Sequence, residues 1–321
     1  MSSVIPREAT DSGTIRDYIA IARPDHWFKN VFMLPGAALA YVVGAQVGLV
    51  ELGMLGLAIV SACLLASANY TINEYLDAED DKHHPTKHSR PSASGKISGQ
   101  LVVLQWIILT AAGLGLAYQF SGWFFATSVF FIFMGLCYNV RPVRTKERVY
   151  LDVLSESVNN PIRFLLGWFP FIGDMFPPSS VLLAYWMGGA FLMAVKRYSE
   201  YRFIGDPERA GAYRASFKRY SEETLLLSSF FYALTSAVFL GVFLVKYRIE
   251  FVLSLPLFAI LFVWYLRIGM RAKSVTQTPE KLYKERRFGL FVIVLVLVVT
   301  VLFFYDLPWL NVLIDSRVRI N

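Results

Sequence analysis

The chain has 321 residues, of which 55% are hydrophobic and 17% charged, and its mean hydropathy is +0.47. Soluble domains carry about 25% charged residues, so this composition excludes an ordinary soluble domain and, because large apolar residues abound, a disordered chain. Two cysteines and 21 glycines without a period exclude disulfide-stapled and fibrous classes, which leaves an integral membrane protein.

Apolar runs of the length that a transmembrane helix needs, about 17–25 residues, recur along the chain. Barrel strands would alternate apolar and polar residues over about 10 residues, so these continuous runs predict helices. We therefore expect an all-α membrane protein with nine transmembrane helices. The predicted spans are 31–50, 52–72, 101–119, 122–140, 150–171, 180–195, 224–245, 251–267 and 288–305.

The fifth predicted span differs from the others because it carries polar and charged residues. Such groups are costly inside a membrane and usually mark a functional pathway. We interpret the segment as a helix that faces a wet cavity inside the bundle, the alternative being that it is not a span. Its polar residues are Asp152, Glu156, Asn159, Asn160 and Arg163.

Lysine and arginine are distributed asymmetrically between the two sides of the predicted bundle. One side, which includes the N-terminus, holds 26 of the 31 basic residues, and the positive-inside rule assigns that side to the cytoplasm. We expect a protein of the bacterial inner membrane with its C-terminus outside. The net charge of +7 is then a topology signal and does not imply nucleic-acid binding.

The segment before the first span, residues 1–29, has no apolar signal region. Ile15, Tyr18, Ile19 and Ala22 repeat at helical spacing, which predicts an amphipathic helix along the cytoplasmic membrane face. We expect two parts, this N-terminal segment and a transmembrane domain over residues 30–321.

A first polar cluster closes the second predicted span. At about 100° per residue, Asn73, Asp77, Asp80 and Asp81 fall on one helical face. Carboxylates four residues apart repel unless a positive charge lies between them. Their hard oxygen atoms suit Mg²⁺, which takes one or two carboxylates and completes its shell with water and substrate phosphate. The alternative is a solvated acidic helix end.

The second cluster, in the fifth span, repeats this arrangement. Asp152 and Glu156 stand four residues apart, as Asp77 and Asp81 do. Two such faces over one cavity would hold two Mg²⁺ ions around a diphosphate and neutralise it as a leaving group. Basic residues suited to the remaining phosphate charge are Lys87, Arg90, Lys146 and Arg163.

These motifs resemble those of the UbiA superfamily of intramembrane prenyltransferases. The family pattern N-D-x-x-D-x-x-x-D stands here as Asn73-Glu74-x-x-Asp77-x-x-x-Asp81, and D-x-x-x-D as Asp152-x-x-x-Glu156. Lys87-His88-Ser89-Arg90-Pro91 also fits the family. The resemblance implies nine helices around a central cavity open to the cytoplasm and the membrane, Mg²⁺ as cofactor, and metal ligands Asn73, Asp77, Asp81, Asp152 and Glu156, of which the four acids are catalytic.

Within the superfamily the chain is most similar to the decaprenyl-phosphate phosphoribosyltransferase branch. The supporting pieces are Arg23-Pro24-x-x-Trp27-x-Lys29-Asn30, His84-Pro85-Thr86-Lys87 and Lys196-Arg197-Tyr198-x-Glu200. This branch moves 5-phosphoribose from phosphoribosyl diphosphate onto a polyprenyl phosphate and releases diphosphate. Substrate-binding candidates besides those above are Lys29, Asn30, Tyr138, Asn159, Asn160, Lys196 and Arg197.

Two other functions stay open on the sequence. A prenyl diphosphate also ionises to a resonance-stabilised cation and a diphosphate, so the carboxylate pairs do not distinguish a prenyl donor from a phosphoribosyl donor. A secondary transporter would place its ion site near the midplane of the membrane, whereas both acidic clusters here lie at one surface.

Overall fold

The computed structural model describes residues 13–46, 48–82, 87–247, 249–272, 274–277 and 279–313, and these residues form helices and no strands. The α-helices are α1 (Ile15–Ala22), α2 (Leu34–Val42), α3 (Leu49–Leu76), α4 (Ala78–Asp81), α5 (Gly99–Ala117), α6 (Gly122–Asn139), α7 (Leu151–Ser157), α8 (Asn159–Trp168), α9 (Ser179–Ile204), α10 (Pro207–Tyr213), α11 (Glu222–Tyr247), α12 (Leu255–Gly269) and α13 (Arg286–Phe304).

Seven helical segments in the described part are long and apolar enough to cross a membrane. They are α3, α5, α6, α9, α11, the segment Ile249–Gly269 that contains α12, and α13. The predicted all-helical membrane protein is therefore confirmed. His83–Thr86, part of the resemblance above, and the C-terminus lie outside the described residues.

Two of the nine predicted spans are not continuous helices. Over 31–50 the chain forms a 3₁₀ helix, Pro24–Met33, and then the nine-residue helix α2. Over 150–171 the helix is interrupted at Val158, between α7 and α8. Pro161 explains this break, because a proline ring clashes with the carbonyl four residues earlier and donates no hydrogen bond.

The chain forms two compact units, each with its own helices. The first comprises the chain up to Pro177 together with Ile204–Glu222, and the second comprises Pro178–Phe203 and the chain from Glu223 onward. In the second unit Ser236 donates to the carbonyl of Ala184, and Phe191 meets Phe262 edge to face. The predicted division at residue 30 stays a prediction.

Small residues let α3 pack closely against α5 and α6 in the first unit. The Ser61 hydroxyl donates to the carbonyl of Gly113 at 2.8 Å, and the Asn69 amide donates to the carbonyl of Phe131 at 3.1 Å. Helices in lipid associate through such close packing and interhelical hydrogen bonds. This packing fixes the end of α3, which carries the first acidic cluster.

The helix α1 forms where the N-terminal segment predicted one. Thr14 and Asp17 cap it, the backbone N–H of Thr14 donating to the Asp17 carboxylate at 2.9 Å. Of its predicted apolar face, Ile15 and Ile19 are exposed and Ala22 is buried, and the position of this helix on a membrane stays a prediction. The hydroxyl of Tyr18 accepts from the backbone N–H of Ser98 at 3.1 Å, which ties α1 to the start of α5.

Two glycines bring α2 and α8 together. A Cβ atom on Gly36 would lie 2.0 Å from the carbonyl oxygen of Phe164, and one on Gly167 would lie 1.9 Å from that of Met33. These distances leave no room for a side chain at either position. The contact sets α8, and with it Arg163, against the 24–33 segment.

We expect Gly167→Ala to destabilise the protein by about 1–3 kcal/mol, the usual cost of overpacking. Gly56→Ala is the matched control, because Gly56 lies in α3 with nothing within 4 Å of its would-be Cβ; it should be neutral or gain up to about 1 kcal/mol of helix propensity. Thermal unfolding in detergent measures both. Equal stability of the two variants would contradict this packing.

Candidate active site

The first acidic cluster is held by a lysine from the segment after α6. Lys146 is only 4% exposed; its ammonium group bonds to the carboxylate of Asp77 and, at 3.0 Å, to the side-chain oxygen of Asn139. The amide of Asn73 donates to Asn139 at 2.5 Å and to Asp77 at 3.2 Å. The structure therefore brings together three residues selected from the sequence and adds Asn139.

Arg144 joins this cluster from the same segment, and the sequence analysis did not select it. Its guanidinium donates to Asp80 at 2.9 Å, lies 3.7 Å from Asp77, and also pairs with Glu147. Its backbone φ of 28° is unusual for a residue with a side chain. Strain of this kind concentrates at functional sites.

The other acids of the cluster are paired in the same way. Arg90 donates to Asp81 at 2.6 Å, and Arg23 donates to Glu74 at 2.9 Å. Both carboxylates are buried, at 2% and 3% exposure. Each of these buried carboxylates therefore has a cationic partner, as a buried charge requires.

These pairs shift the acidity of the groups that lie beyond the end of α3. Burial works against ionisation of Asp77, but Lys146, Arg214 and Arg144 outweigh it and hold its pKa below the ordinary value. Burial likewise lowers the pKa of the Lys146 ammonium. The pKa of Asp80 is raised by burial and by the charge of Asp77. The two neighbouring carboxyl groups Asp77 and Asp80 therefore differ in the direction of their pKa shifts.

Glu156 connects with the first cluster through Tyr138. The hydroxyl of Tyr138 donates to Glu156 at 2.7 Å, and the ammonium of Lys146 lies 6.0 Å from the centre of the Tyr138 ring. Tyr138 and Glu156 were both selected from the sequence, and here they are bonded to each other. One hydrogen bond and one cation–π contact therefore connect Lys146, the partner of Asp77, with the second acidic motif.

Asp152 bonds to a different segment, although it shares α7 with Glu156. It is fully buried, and its two oxygens accept from the hydroxyls of Tyr220 at 2.8 Å and Ser216 at 3.2 Å. Tyr220 also accepts from the backbone N–H of Tyr150, whose φ is 63°. Asp152 thus anchors the 215–220 segment.

The 213–220 segment also contacts these candidates, and the sequence analysis did not select its residues. Lys87 donates to the hydroxyl of Tyr213 and lies 4.6 Å from its ring centre. Arg214 contributes positive charge at Asp77 and Lys146. The available signal was the run of aromatic, basic and hydroxyl residues Tyr213-Arg214-Ala215-Ser216-Phe217-Lys218-Arg219-Tyr220 in one short connection.

Arg163 is a buried cation whose partners are neutral. It is 6% exposed, donates to the side-chain oxygen of Asn30 at 3.0 Å and to the backbone carbonyl of Asn159 at 3.3 Å, and lies over the Phe131 ring at 5.2 Å. Among the described residues it forms no salt bridge with a carboxylate. An anion brought by a substrate would compensate this charge.

The remaining candidates have more local contacts. The side-chain oxygen of Asn159 is buried without a hydrogen bond in the described structure, and Asn160 forms no side-chain hydrogen bond there. Lys29 bonds to His26 at 3.1 Å and lies 5.5 Å from the Tyr70 ring centre. Lys196 and Arg197 belong to α9 in the second unit, where buried Arg197 donates to Glu200 at 3.4 Å.

The oxygen atoms of this site fit Mg²⁺ in kind. Asn73, Asp77, Asp81 and Glu156 offer the hard donors that this ion prefers. No group of three or more His, Cys, Asp and Glu side chains in the described chain is close enough to share one metal ion. Mg²⁺ needs only one or two carboxylates when water and phosphate complete its shell, so the donor set is compatible with it.

Buried carboxylates paired with cationic side chains at the ends of apolar helices are typical of a membrane protein that binds a polar or charged group. The UbiA prenyltransferase family model matches residues 32–288. The chain therefore belongs to the UbiA prenyltransferase family and is a transferase of that family.

The chain is also similar to particular relatives. It is 28% identical over 231 residues to decaprenyl-phosphate phosphoribosyltransferase of Mycolicibacterium smegmatis, covering 68% of this chain and 67% of that one. It is 31% identical over 206 residues to the Mycobacterium tuberculosis enzyme of that name, covering 63% and 65%. A UbiA homolog from Archaeoglobus fulgidus, bound to DMAPP and Mg²⁺, has the same fold: TM-score 0.67, 21% identity, covering 89% and 99%.

Removing the Asp77 carboxylate should lower the free energy of unfolding, because Lys146 would remain buried without a counter-charge. We expect Asp77→Asn to cost about 3–5 kcal/mol and the double variant Asp77→Asn/Lys146→Met to recover most of it. Glu79→Gln, in the exposed pair of Glu79 from α4 with Lys82, should change stability by less than about 1 kcal/mol.

Thermal unfolding in detergent measures all three variants. A loss for Asp77→Asn no larger than that of Glu79→Gln would show that the Asp77–Lys146 pair does not compensate a buried charge. So would a double variant that is no more stable than Asp77→Asn.

Proposed function

We propose that the protein transfers 5-phosphoribose from phosphoribosyl diphosphate to a polyprenyl phosphate and releases diphosphate. The relatives named decaprenyl-phosphate phosphoribosyltransferase support this donor and this class of acceptor. The observation that carries the proposal is the buried cluster around Asp77 and Lys146, with cations enough to receive a diphosphate. Such a reaction separates a diphosphate from a sugar carbon, which requires charge compensation at the leaving group.

We propose nine transmembrane helices around a central cavity in a bacterial inner membrane. The broken segments 24–42 and 151–168 take the first and fifth places in this arrangement. The fold likeness to the Archaeoglobus fulgidus protein supports it, and the distribution of lysine and arginine supports a cytoplasmic site and an outside C-terminus.

Mg²⁺ is the proposed cofactor, and it would supply positive charge to the departing diphosphate. The proposed ligands are Asn73, Asp77, Asp81, Asp152 and Glu156. Lys146 and Arg90 now compensate Asp77 and Asp81, so they would turn towards the phosphate oxygens when the ion is bound. Asp152 would have to exchange its hydrogen bonds from the 215–220 segment to bind metal.

The cations of the site have separable tasks in this proposal. Lys146, Arg90 and Lys87 hold diphosphate oxygens, since charge-assisted hydrogen bonds are the strong ones. Arg163, with Asn30 and Asn159 beside it, compensates a phosphate deeper in the first unit. Lys29, Asn160, Tyr138, Lys196 and Arg197 complete the proposed substrate-binding set. An acceptor phosphate brings its own nucleophilic oxygen, so no general base is required.

A prenyl transfer from a prenyl diphosphate to a small acceptor is the second candidate. The Archaeoglobus fulgidus homolog bound to DMAPP and Mg²⁺ favours it. Both candidates use the same carboxylates, so they differ in what lies beyond the diphosphate.

A donor screen tests the proposal. Purified protein should release diphosphate from phosphoribosyl diphosphate when a polyprenyl phosphate and Mg²⁺ are present, and EDTA should abolish the release because the diphosphate would leave uncompensated. Omitting the acceptor is the control for hydrolysis. Turnover of geranyl diphosphate with none of phosphoribosyl diphosphate would replace the first candidate by the second.

Arg163→Leu should lower affinity for a phosphate-bearing substrate while preserving the fold. Arg163 forms no salt bridge in the described structure, so its replacement leaves no partner charge uncompensated there. The substrate would lose a charge-assisted contact, about 10-fold in affinity or more. Substrate titrations and thermal unfolding are the measurements. Loss of stability with unchanged affinity for donor and acceptor would make Arg163 a structural residue only.

A further inference from the structure

A cavity of about 730 Å³ opens between two connections of the first unit. One wall is the segment 141–149 and the other is the segment 215–219. Its volume lies within the range of about 300–1,000 Å³ that small-molecule sites have. The charged side chains that line it are Arg141, Arg144, Glu147, Arg148, Lys218 and Arg219; we call this cavity the basic basin.

The basic basin carries far more positive than negative charge. It has five cationic side chains and one carboxylate, Glu147, which lies 3.6 Å from Arg141 and also pairs with Arg144. Within the described chain, Arg148, Lys218 and Arg219 form no salt bridge. Like charges held around one cavity repel, and a bound anion would remove that repulsion.

Arg144 is shared between the basic basin and the candidate active site. It lines the cavity, while its guanidinium donates to Asp80 at 2.9 Å and lies 3.7 Å from Asp77. The basin therefore lies beside the place proposed for the diphosphate. A ligand with two anionic ends would find a cationic group for each of them.

We propose that the basic basin is a second phosphate subsite, which binds the 5-phosphate of phosphoribosyl diphosphate. This inference rests on the proposed function. Phosphoribosyl diphosphate carries a diphosphate at one sugar carbon and a phosphate monoester at another. A prenyl diphosphate has a hydrocarbon at its far end, for which a basin of exposed arginine and lysine is unsuitable.

The test compares full-length variants in a detergent without charge. Lys218→Ala/Arg219→Ala alters the basin alone, and Arg209→Ala, an exposed residue of α10 outside the basin, is the matched control. Isothermal titration with Mg²⁺ present measures the Kd of three probes: phosphoribosyl diphosphate, ribosyl 1-diphosphate without the 5-phosphate, and inorganic diphosphate.

The double variant should bind phosphoribosyl diphosphate at least about 10-fold more weakly than the wild type. Its affinity for the two probes without a 5-phosphate should stay within about 2-fold, because neither probe carries the group that Lys218 and Arg219 would bind. Arg209→Ala should behave as the wild type with all three probes. If the double variant bound all three probes more weakly by the same factor, the subsite would be overturned. The basin would then act only through its overall positive electrostatic potential.

Because lipid headgroups also carry a phosphate group, a second experiment with lipid vesicles distinguishes a lipid ligand from phosphoribosyl diphosphate. Wild type and double variant are reconstituted in neutral vesicles and in vesicles with phosphatidylglycerol. An unchanged Kd for phosphoribosyl diphosphate, with loss of phosphatidylglycerol binding in the variant, would assign the basin to lipid and overturn the inference.

The inference and the proposed function fail in different ways. Wild-type turnover of phosphoribosyl diphosphate with unchanged binding in the double variant would overturn only the subsite. Absence of phosphoribosyl diphosphate turnover together with turnover of geranyl diphosphate would overturn both.

Discussion

The side chain of Lys146 is almost completely buried, and a buried ammonium group requires a counter-charge. Asp77 supplies it, and the same rule governs Asp81 with Arg90 and Glu74 with Arg23. Each pair joins the end of α3 or the helix α4 to a different part of the chain. Charge compensation thus assembles the site from segments that lie far apart in sequence.

Unusual backbone conformations occur in the segments between helices that contribute side chains to the candidate site. In the described part of the chain, three residues with side chains have positive φ, namely Arg23 at 50°, Arg144 at 28° and Tyr150 at 63°. Each such residue costs about 1–3 kcal/mol, and each takes part in a contact of the site: Arg23 with Glu74, Arg144 with Asp80, and Tyr150 with Tyr220. The ion pairs and hydrogen bonds therefore hold a backbone that would otherwise relax.

The sequence predicted the helical class well because apolar length is a strong signal, and it failed where polarity and proline interrupt that signal. The segment 150–171 is long enough for a span, yet Pro161 divides it. Periodicity also put Asp77 and Asp81 on one face, but their partners Lys146 and Arg90 come from connections without a period. Arg144 was missed for that reason, since only three-dimensional packing selects one arginine among the many of a basic loop.

The choice between donors depends on the cations more than on the acids. Any diphosphate leaving group needs oxygen-bound metal and nearby positive charge, so Asp77 and Asp81 serve a sugar donor and a prenyl donor equally. The far end of the donor differs: a prenyl chain gains free energy by burying apolar surface, whereas a phosphate monoester gains it from guanidinium and ammonium groups. A cavity whose charged lining includes Arg144, Arg148 and Lys218 offers the second kind of contact next to the acidic cluster. In the proposed function the phosphoribosyl donor would therefore use a feature of this chain that a prenyl donor would leave unused.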